Sequence, residues 1–260
     1  MRKDVALMSR QIEGIFFDLG NTFRVVNEIP EYYNAARRRI VDLVGADMEP
    51  DTFYELIMKR YDTYREWALS NCREAYEDYL WTRWLTPDYP RERIEANAGE
   101  LTYLLRQAKG RRDVVEDGIE VVKELFARGY TLGIISDLIG CREVDEWLDA
   151  DGLRPYFKAV MQSSVSGIRK PDPIIFWAAN GQAGVIPERS VFIGDNLERD
   201  IGGAKNARYG MTIASISPKK FESLAITEDI RPDAFIFGFK ELLDIFPRCP
   251  EVDLSGARRG

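Results

Sequence analysis

The sequence predicts an α/β protein with a Rossmann-like three-layer core, a parallel sheet, and an all-helical domain inserted into that core. Short apolar runs alternate with amphipathic segments after residue 112, which is typical of parallel strands joined by helices. Residues 30–109 instead carry apolar side chains at helical spacing, with no convincing strand pattern. The first of these sequence patterns predicts the core, and the second predicts the inserted helical domain.

The first predicted strand is the apolar run at residues 12–18, and the helical block follows it. Prolines punctuate that block and separate its amphipathic segments. Its predicted helices span residues 32–44, 52–69, 74–85 and 91–108. In the alternating part, we predict strands at residues 130–136, 159–162, 190–194, 212–215 and 233–237. The helices between and after them are predicted at residues 118–128, 142–150, 172–183, 199–207 and 239–246.

This order of elements divides the chain into two domains. We assign residues 1–24 and 113–260 to the core and residues 25–112 to the inserted helical domain.

Composition limits the classes of function. The net charge of −7 argues against non-specific nucleic-acid binding, which needs a basic face. No apolar run approaches a membrane span, and the N-terminal apolar stretch is too short for a signal-peptide core. The three cysteines form no Cys-x-x-Cys pair, which fits a reducing compartment. We therefore expect a cytoplasmic protein with no membrane or nucleic-acid partner; the oligomeric state stays open.

The chain contains no histidine, and this absence removes several kinds of chemistry. Ser-His-Asp and Cys-His mechanisms are excluded, as are zinc and iron sites that depend on imidazole. Any catalysis must rest on carboxylates, lysines, hydroxyls and a cation that prefers oxygen ligands. The 43 Asp and Glu residues supply such ligands in number.

Three polar side chains follow apolar strands directly. Asp18, Ser136 and Asp195 lie at the predicted C-terminal ends of three strands, where a parallel sheet presents its ligand crevice. Each alone could be a strand-ending or helix-capping residue. Asp18 and Asp195 could hold one Mg²⁺ ion between them, and Lys170 offers a compact point charge for phosphate oxygens.

Four short segments occur in a fixed order. They read Phe-Phe-Asp-Leu-Gly-Asn-Thr at residues 16–22, Ile-Ile-Ser-Asp at 134–137, Gly-Ile-Arg-Lys-Pro-Asp-Pro at 167–173 and Val-Phe-Ile-Gly-Asp-Asn-Leu-Glu-Arg-Asp at 191–200. This ordered set resembles the haloacid dehalogenase (HAD) superfamily of hydrolases. The resemblance covers residues 12–24 and 112–246, and the helical block fits the cap that the superfamily often inserts after its first strand. The third and fourth segments are the most specific, and the fourth resembles the phosphatase branch with a helical cap.

The resemblance implies Mg²⁺-dependent hydrolysis of a small phosphorylated metabolite through an aspartyl-phosphate. Asp18 would attack phosphorus as the nucleophile, while the metal and Lys170 stabilise the transferring group. The cap would close over the site and set specificity. The implied catalytic residues are Asp18, Ser136 and Lys170. The implied substrate-binding residues are Ser136, Lys170 and Asn21. The implied metal ligands are Asp18, the Gly20 carbonyl, Asp195 and, in the outer shell, Asp200.

One position departs from the family pattern. Family phosphatases usually carry a second Asp two residues after the nucleophile, which protonates the leaving oxygen and activates water, and here that residue is Gly20. Asp137 or a residue of the cap could supply the missing proton transfer. Two alternatives follow: a haloacid dehalogenase-type hydrolase, or a catalytically weak protein that binds a phosphorylated ligand. The run at residues 37–39 could reach a second anionic group or form a solvated helix face.

Overall fold

A computed structural model describes residues 11–247 and Cys249 of the chain. The ends of the predicted core domain, at residues 1–10, 248 and 250–260, lie outside the described residues. Six parallel strands form the central sheet in the order β5-β4-β1-β6-β7-β8. Their bounds are β1 Gly14–Phe17, β4 Thr131–Ser136, β5 Phe157–Gln162, β6 Ser190–Gly194, β7 Met211–Ser215 and β8 Ala234–Ile236. The predicted α/β class with a parallel sheet is therefore confirmed.

Helices cover both faces of the sheet because alternate strand side chains point to opposite sides. Ile15 and Phe17 of β1 pack into one cluster, and Phe16 packs into another. The first cluster is covered by helices Gly118–Ala127, Glu143–Ala150 and Leu242–Ile245. The second is covered by helices Pro173–Ala183 and Gly203–Asn206. The result is the three-layer arrangement that the sequence predicts.

The inserted block is helical and has a hydrophobic cluster of its own. Its elements are α1 Pro30–Val44, α2 Pro50–Asn71, α3 Glu77–Tyr79 with a π-helical continuation Leu80–Leu85, and α4 Arg91–Gln107. Phe53, Tyr64, Trp81 and Leu101 are fully or almost fully buried in this cluster. The division of the chain at residues 24/25 and 112/113 stays a prediction.

Two strands that the sequence patterns do not predict connect the helical block to the sheet. Strand β2 Arg24–Asn27 pairs antiparallel with strand β3 Arg111–Val114. The chain thus leaves and re-enters the sheet domain through one two-stranded ribbon. Because both predicted domain boundaries fall inside this ribbon, it is the physical link between the two parts of the molecule.

Two helices predicted as continuous are not regular α-helices. The segment at residues 74–85 becomes π-helical from Leu80, and the segment at residues 199–207 begins with a π-helical turn, Leu197–Gly202. Hydrophobic periodicity alone does not separate these geometries. Within the described residues, no helix combines the length and apolar character that crossing a membrane requires.

Candidate active site

The C-terminal ends of three adjacent strands bring the predicted polar residues together. Strand β1 lies between β4 and β6, so Asp18 lies between the ends that carry Ser136 and Asp195. The Asp18 backbone N–H donates to Ile193 O at 2.9 Å, which continues the ladder and fixes the backbone at Asp18. Asp18 and Ser136 are buried.

Lys170 joins two of the carboxylates. Its ammonium donates to Asp18 Oδ1 at 2.7 Å and to the Ile135 carbonyl at 3.0 Å, and it lies 2.7 Å from Asp200 Oδ1. Only 2% of Lys170 is exposed, so all three donors act inside the protein. Asp200 therefore holds the lysine directly.

The carboxylate of Asp200 is held by the turn that follows β6. The Asn196 N–H donates to Asp200 Oδ2 at 3.0 Å, and the side chain packs against the backbone of Gly194. A Cβ at Gly194 would lie 2.5 Å from Asp200 Cγ, so only glycine leaves room there. Lys220 Nζ donates to Asp195 Oδ2 at 3.1 Å and to the Asp195 carbonyl at 2.7 Å.

Asp18, Asp195 and Asp200 form a group that fits a divalent cation. One carboxylate oxygen from each lies within 4.8 Å of the others. Burial, together with the charges of Asp200 and Asp195, raises the pKa of Asp18 to about 7 despite the opposing charge of Lys170. Because burial and neighbouring carboxylates disfavour the charged form of Asp18, a bound cation would stabilise that charged form. Carboxylate oxygens are also ligands that Mg²⁺ prefers.

A cleft of about 400 Å³ opens above these carboxylates. Gly20 and Asn21 line it, together with Asp137, Arg169 and Arg199. Asn21 adopts a left-handed backbone conformation, with φ of 57°, which Asn tolerates better than most residues. A Cβ at Gly20 would meet no atom within 4 Å. The position that lacks the second Asp therefore faces open space.

Ser136 does not line the main cleft. It lines a neighbouring cavity of about 160 Å³, which Gly20 and Asn21 also line. The main cleft instead meets Asp137, whose Oδ1 accepts the Lys170 backbone N–H at 3.0 Å. Asp137 Oδ2 lies 3.8 Å from Arg169 and 3.7 Å from Arg199. Asp137 therefore holds the backbone at Lys170.

The helical block contributes side chains to the cleft that the sequence analysis did not single out. Arg65, Arg106, Lys109 and Arg112 all line it. The signal was present in the sequence, since residues 106–112 read Arg-Gln-Ala-Lys-Gly-Arg-Arg. By contrast, residues 37–39 do not line the cleft: Arg37 pairs with Asp51 at 2.9 Å, and Arg38 and Arg39 are exposed.

A buried network joins the helical block to the segment that carries Lys170. Glu74, which follows helix α2, pairs with Arg169, accepts from the Tyr64 hydroxyl, and accepts from Ser163 Oγ at 2.7 Å. The backbones also pair, since Glu74 N donates to Gly167 O and Arg169 N donates to Cys72 O, both at 3.0 Å. The position of the lysine is thereby coupled to the helical block.

Comparisons with a family model, with curated relatives and with solved structures all find haloacid dehalogenase-like proteins or phosphatases. Residues 12–208 match the model of the haloacid dehalogenase-like hydrolases. A glyceraldehyde 3-phosphate phosphatase of Pyrococcus furiosus is 30% identical over 92% of this chain and 95% of its own. One of Methanopyrus kandleri is 27% identical over 90% of this chain and 97% of its own. Among solved structures, a 2-haloacid dehalogenase of Pseudomonas syringae pv. Tomato DC3000 shares the fold, with a TM-score of 0.63 and 23% identity over 91% of this chain and 98% of that one.

Proposed function

The chain belongs to the haloacid dehalogenase-like hydrolase family, and on that premise we propose that it hydrolyses a small phosphate monoester with Mg²⁺ as cofactor. The observation that carries the proposal is the buried Lys170, which bridges Asp18 and Asp200 beside Asp195. One positive point charge and three carboxylates suit a dianionic phosphate together with a divalent cation. Relatives at 27% and 30% identity carry phosphatase names, which supports the same reaction.

Asp18 is proposed as the nucleophile. Its carboxylate oxygen forms a bond to phosphorus, the bond from phosphorus to the ester oxygen breaks, and the electron pair leaves with the alcohol oxygen. Water then attacks the aspartyl-phosphate, the bond from phosphorus to Asp18 breaks, and inorganic phosphate is released. Lys170, whose ammonium donates to Asp18, would stabilise charge on the transferring oxygens.

The metal would be held by Asp18, Asp195 and the Gly20 carbonyl, with Asp200 in the outer shell. Its contribution is charge that lets a carboxylate approach a dianionic phosphate. Ser136 and Asn21 are proposed to bind phosphate oxygens, and the helical block at residues 25–112 is proposed to act as a cap over the cleft. The shared ribbon and the cations that line the cleft support this role for the helices.

Gly20 sets the expected speed of the reaction. Without a carboxyl group at this position, the leaving oxygen receives its proton from water or from a neighbouring side chain, and water is activated less well. General acid–base groups of this kind contribute about 10²–10⁴-fold to rate. We therefore propose a slow phosphatase, whose binding site for phosphate and metal is complete.

The test is release of inorganic phosphate from a panel of small esters, with Mg²⁺ and with EDTA. We expect release with Mg²⁺, loss with EDTA, and loss in the Asp18→Asn variant. Chloride release from 2-chloropropionate without metal would instead favour the dehalogenase. If neither the native chain nor its Gly20→Asp variant releases phosphate from any ester, the phosphatase proposal is wrong.

A further inference from the structure

The cap side of the cleft carries more positive charge than the proposed reaction uses. Arg65 comes from helix α2, while Arg106, Lys109 and Arg112 come from the end of helix α4 and the returning strand β3. The ester phosphate has its own partners on the sheet side, Lys170 and the proposed metal. The four cap cations line the same cleft as those groups, and the only carboxylate that the described helical block adds to this lining is that of Asp62.

Lys109 is close enough to the other three cations to be repelled by each of them. Its ammonium lies 3.9 Å from the centroid of the Tyr61 ring, and no carboxylate in the described part of the chain lies within ion-pair distance of it. Burial and the charges of Arg106, Arg112 and Arg65 lower the pKa of Lys109 to about 7, with Asp62 opposing them weakly. A lysine crowded by like charges is a group that a bound anion would stabilise.

Arg112 also lines the cleft without a carboxylate partner in the described part of the chain. Its guanidinium donates to the carbonyls of Arg106 and Gly110, at 2.8 and 3.4 Å, and has no carboxylate partner among residues 11–247. Burial, with the charge of Arg106, lowers the pKa of Arg112 to about 10. Arg106 differs, since it is paired with Glu143 at 2.6 Å. Arg65 lines the cleft and has no carboxylate partner among the described residues, so Arg65, Lys109 and Arg112 remain available to an anionic ligand.

We propose that Lys109, Arg65 and Arg112 form a second anion subsite, so that the substrate class is a small phosphate ester bearing another anionic group. This inference rests on the proposed function, because it places the ester phosphate at Lys170. The cleft of about 400 Å³ fits a metabolite-sized ligand that spans the two charged sides. A carboxylate and a second phosphate share the required chemistry, namely anionic oxygens that accept from ammonium and guanidinium groups.

The experiment measures binding of three probes by calorimetry with saturating Mg²⁺. They are 3-phosphoglycerate, propane-1,3-diol bisphosphate and glycerol 3-phosphate, which lacks the second anion. The Asp18→Asn chain is used so that the esters stay intact. Two further substitutions are made separately in that background: Lys109→Met, and Arg65→Met at an exposed residue. The matched control is Arg39→Met, which removes one exposed cap cation that does not line the cleft.

We expect one or both doubly anionic probes to bind about ten- to hundredfold more tightly than glycerol 3-phosphate. Lys109→Met should remove most of that ratio and Arg65→Met part of it, while Arg39→Met leaves it unchanged. The doubly anionic probe with the larger affinity ratio over glycerol 3-phosphate shows whether the subsite prefers a carboxylate or a phosphate. Equal affinity for all three probes, or a ratio that survives both cleft variants, overturns the subsite.

The two proposals fail separately. If the preference is present but the native chain releases phosphate from none of the probes, the proposed hydrolysis is wrong and the subsite stands. If phosphate is released from glycerol 3-phosphate and from 3-phosphoglycerate with equal kcat/KM, and the affinities are also equal, the subsite is wrong and the hydrolysis stands. Absence of binding by every probe overturns the subsite, while the hydrolysis is decided by phosphate release from the ester panel.

Discussion

Replacing Lys109 by methionine should stabilise the unliganded protein. Methionine keeps an unbranched side chain of similar length and removes the ammonium, which lies over the Tyr61 ring and is repelled by Arg65, Arg106 and Arg112. A folded pKa of about 7, against an ordinary value of 10.5, makes the folded state bind fewer protons than the unfolded state at neutral pH. The charge of Lys109 therefore opposes folding.

The size of the effect follows from the shift in pKa. Each unit corresponds to about 1.4 kcal/mol, which gives a ceiling of about 4 kcal/mol at pH 7. Water in the open cleft screens these charges, and the contact with the Tyr61 ring is lost, so we expect a gain of about 1–2 kcal/mol. For a chain of this size, that raises Tm by roughly 3–6 °C.

The pH dependence has a definite sign. Below pH 7, Lys109 is charged in both states, and the penalty on folding is complete. Between about pH 7 and 10.5 the folded state loses its proton first, so the penalty fades as pH rises. The Tm difference between Lys109→Met and the native chain should therefore be largest near pH 6 and shrink toward pH 10.

Differential scanning calorimetry in EDTA at low ionic strength measures this difference. Lys109→Arg, which keeps the charge, should give no gain, and Arg39→Met controls for loss of a cation of the helical block that lies outside the cleft. A lower Tm in Lys109→Met, or a gain that does not change with pH, would refute the reasoning that Lys109 is destabilised by its neighbours.

Three further predictions concern the core. Gly20→Asp should raise kcat for phosphate release about 10²–10⁴-fold with little change in Tm, because a Cβ there meets no atom within 4 Å; an unchanged kcat would contradict this. Glu74→Ala should lower the unfolding free energy in urea by about 3–5 kcal/mol, since it strands the buried Arg169, and a loss under 1 kcal/mol would show the pair to be dispensable. Mg²⁺ at a hundred times its Kd should stabilise the native chain by about 2.7 kcal/mol but not Asp195→Asn, and equal stabilisation of both would exclude Asp195 as a ligand.

The site on the sheet side could be predicted from the sequence for a physical reason. Parallel strands end at one edge, so polar residues that directly follow apolar runs, such as Asp18 and Asp195, must lie near one another. The lysine of the third segment was placed by resemblance, and the structure brings its ammonium to Asp18 and Asp200.

The contribution of the helical block to the cleft could not be predicted in the same way. Lys109 and Arg112 are close in sequence, but Arg65 approaches them only because helices α2 and α4 pack in one cluster. The ribbon escaped prediction because its strands, Arg24–Asn27 and Arg111–Val114, are four residues long and partly exposed. Short strands of mixed polarity give no periodic signal, and their pairing depends on the ends of the insertion meeting.

The most direct test of the central claim follows the phosphoryl group itself. The native chain is mixed with glycerol 3-phosphate radiolabelled on phosphorus and with Mg²⁺, quenched in acid within the first turnover, and digested to peptides. We predict label on the peptide that contains Asp18, and none in the Asp18→Asn chain, which should also release no phosphate. Phosphate release without label on that peptide, or release that survives Asp18→Asn, would contradict the account.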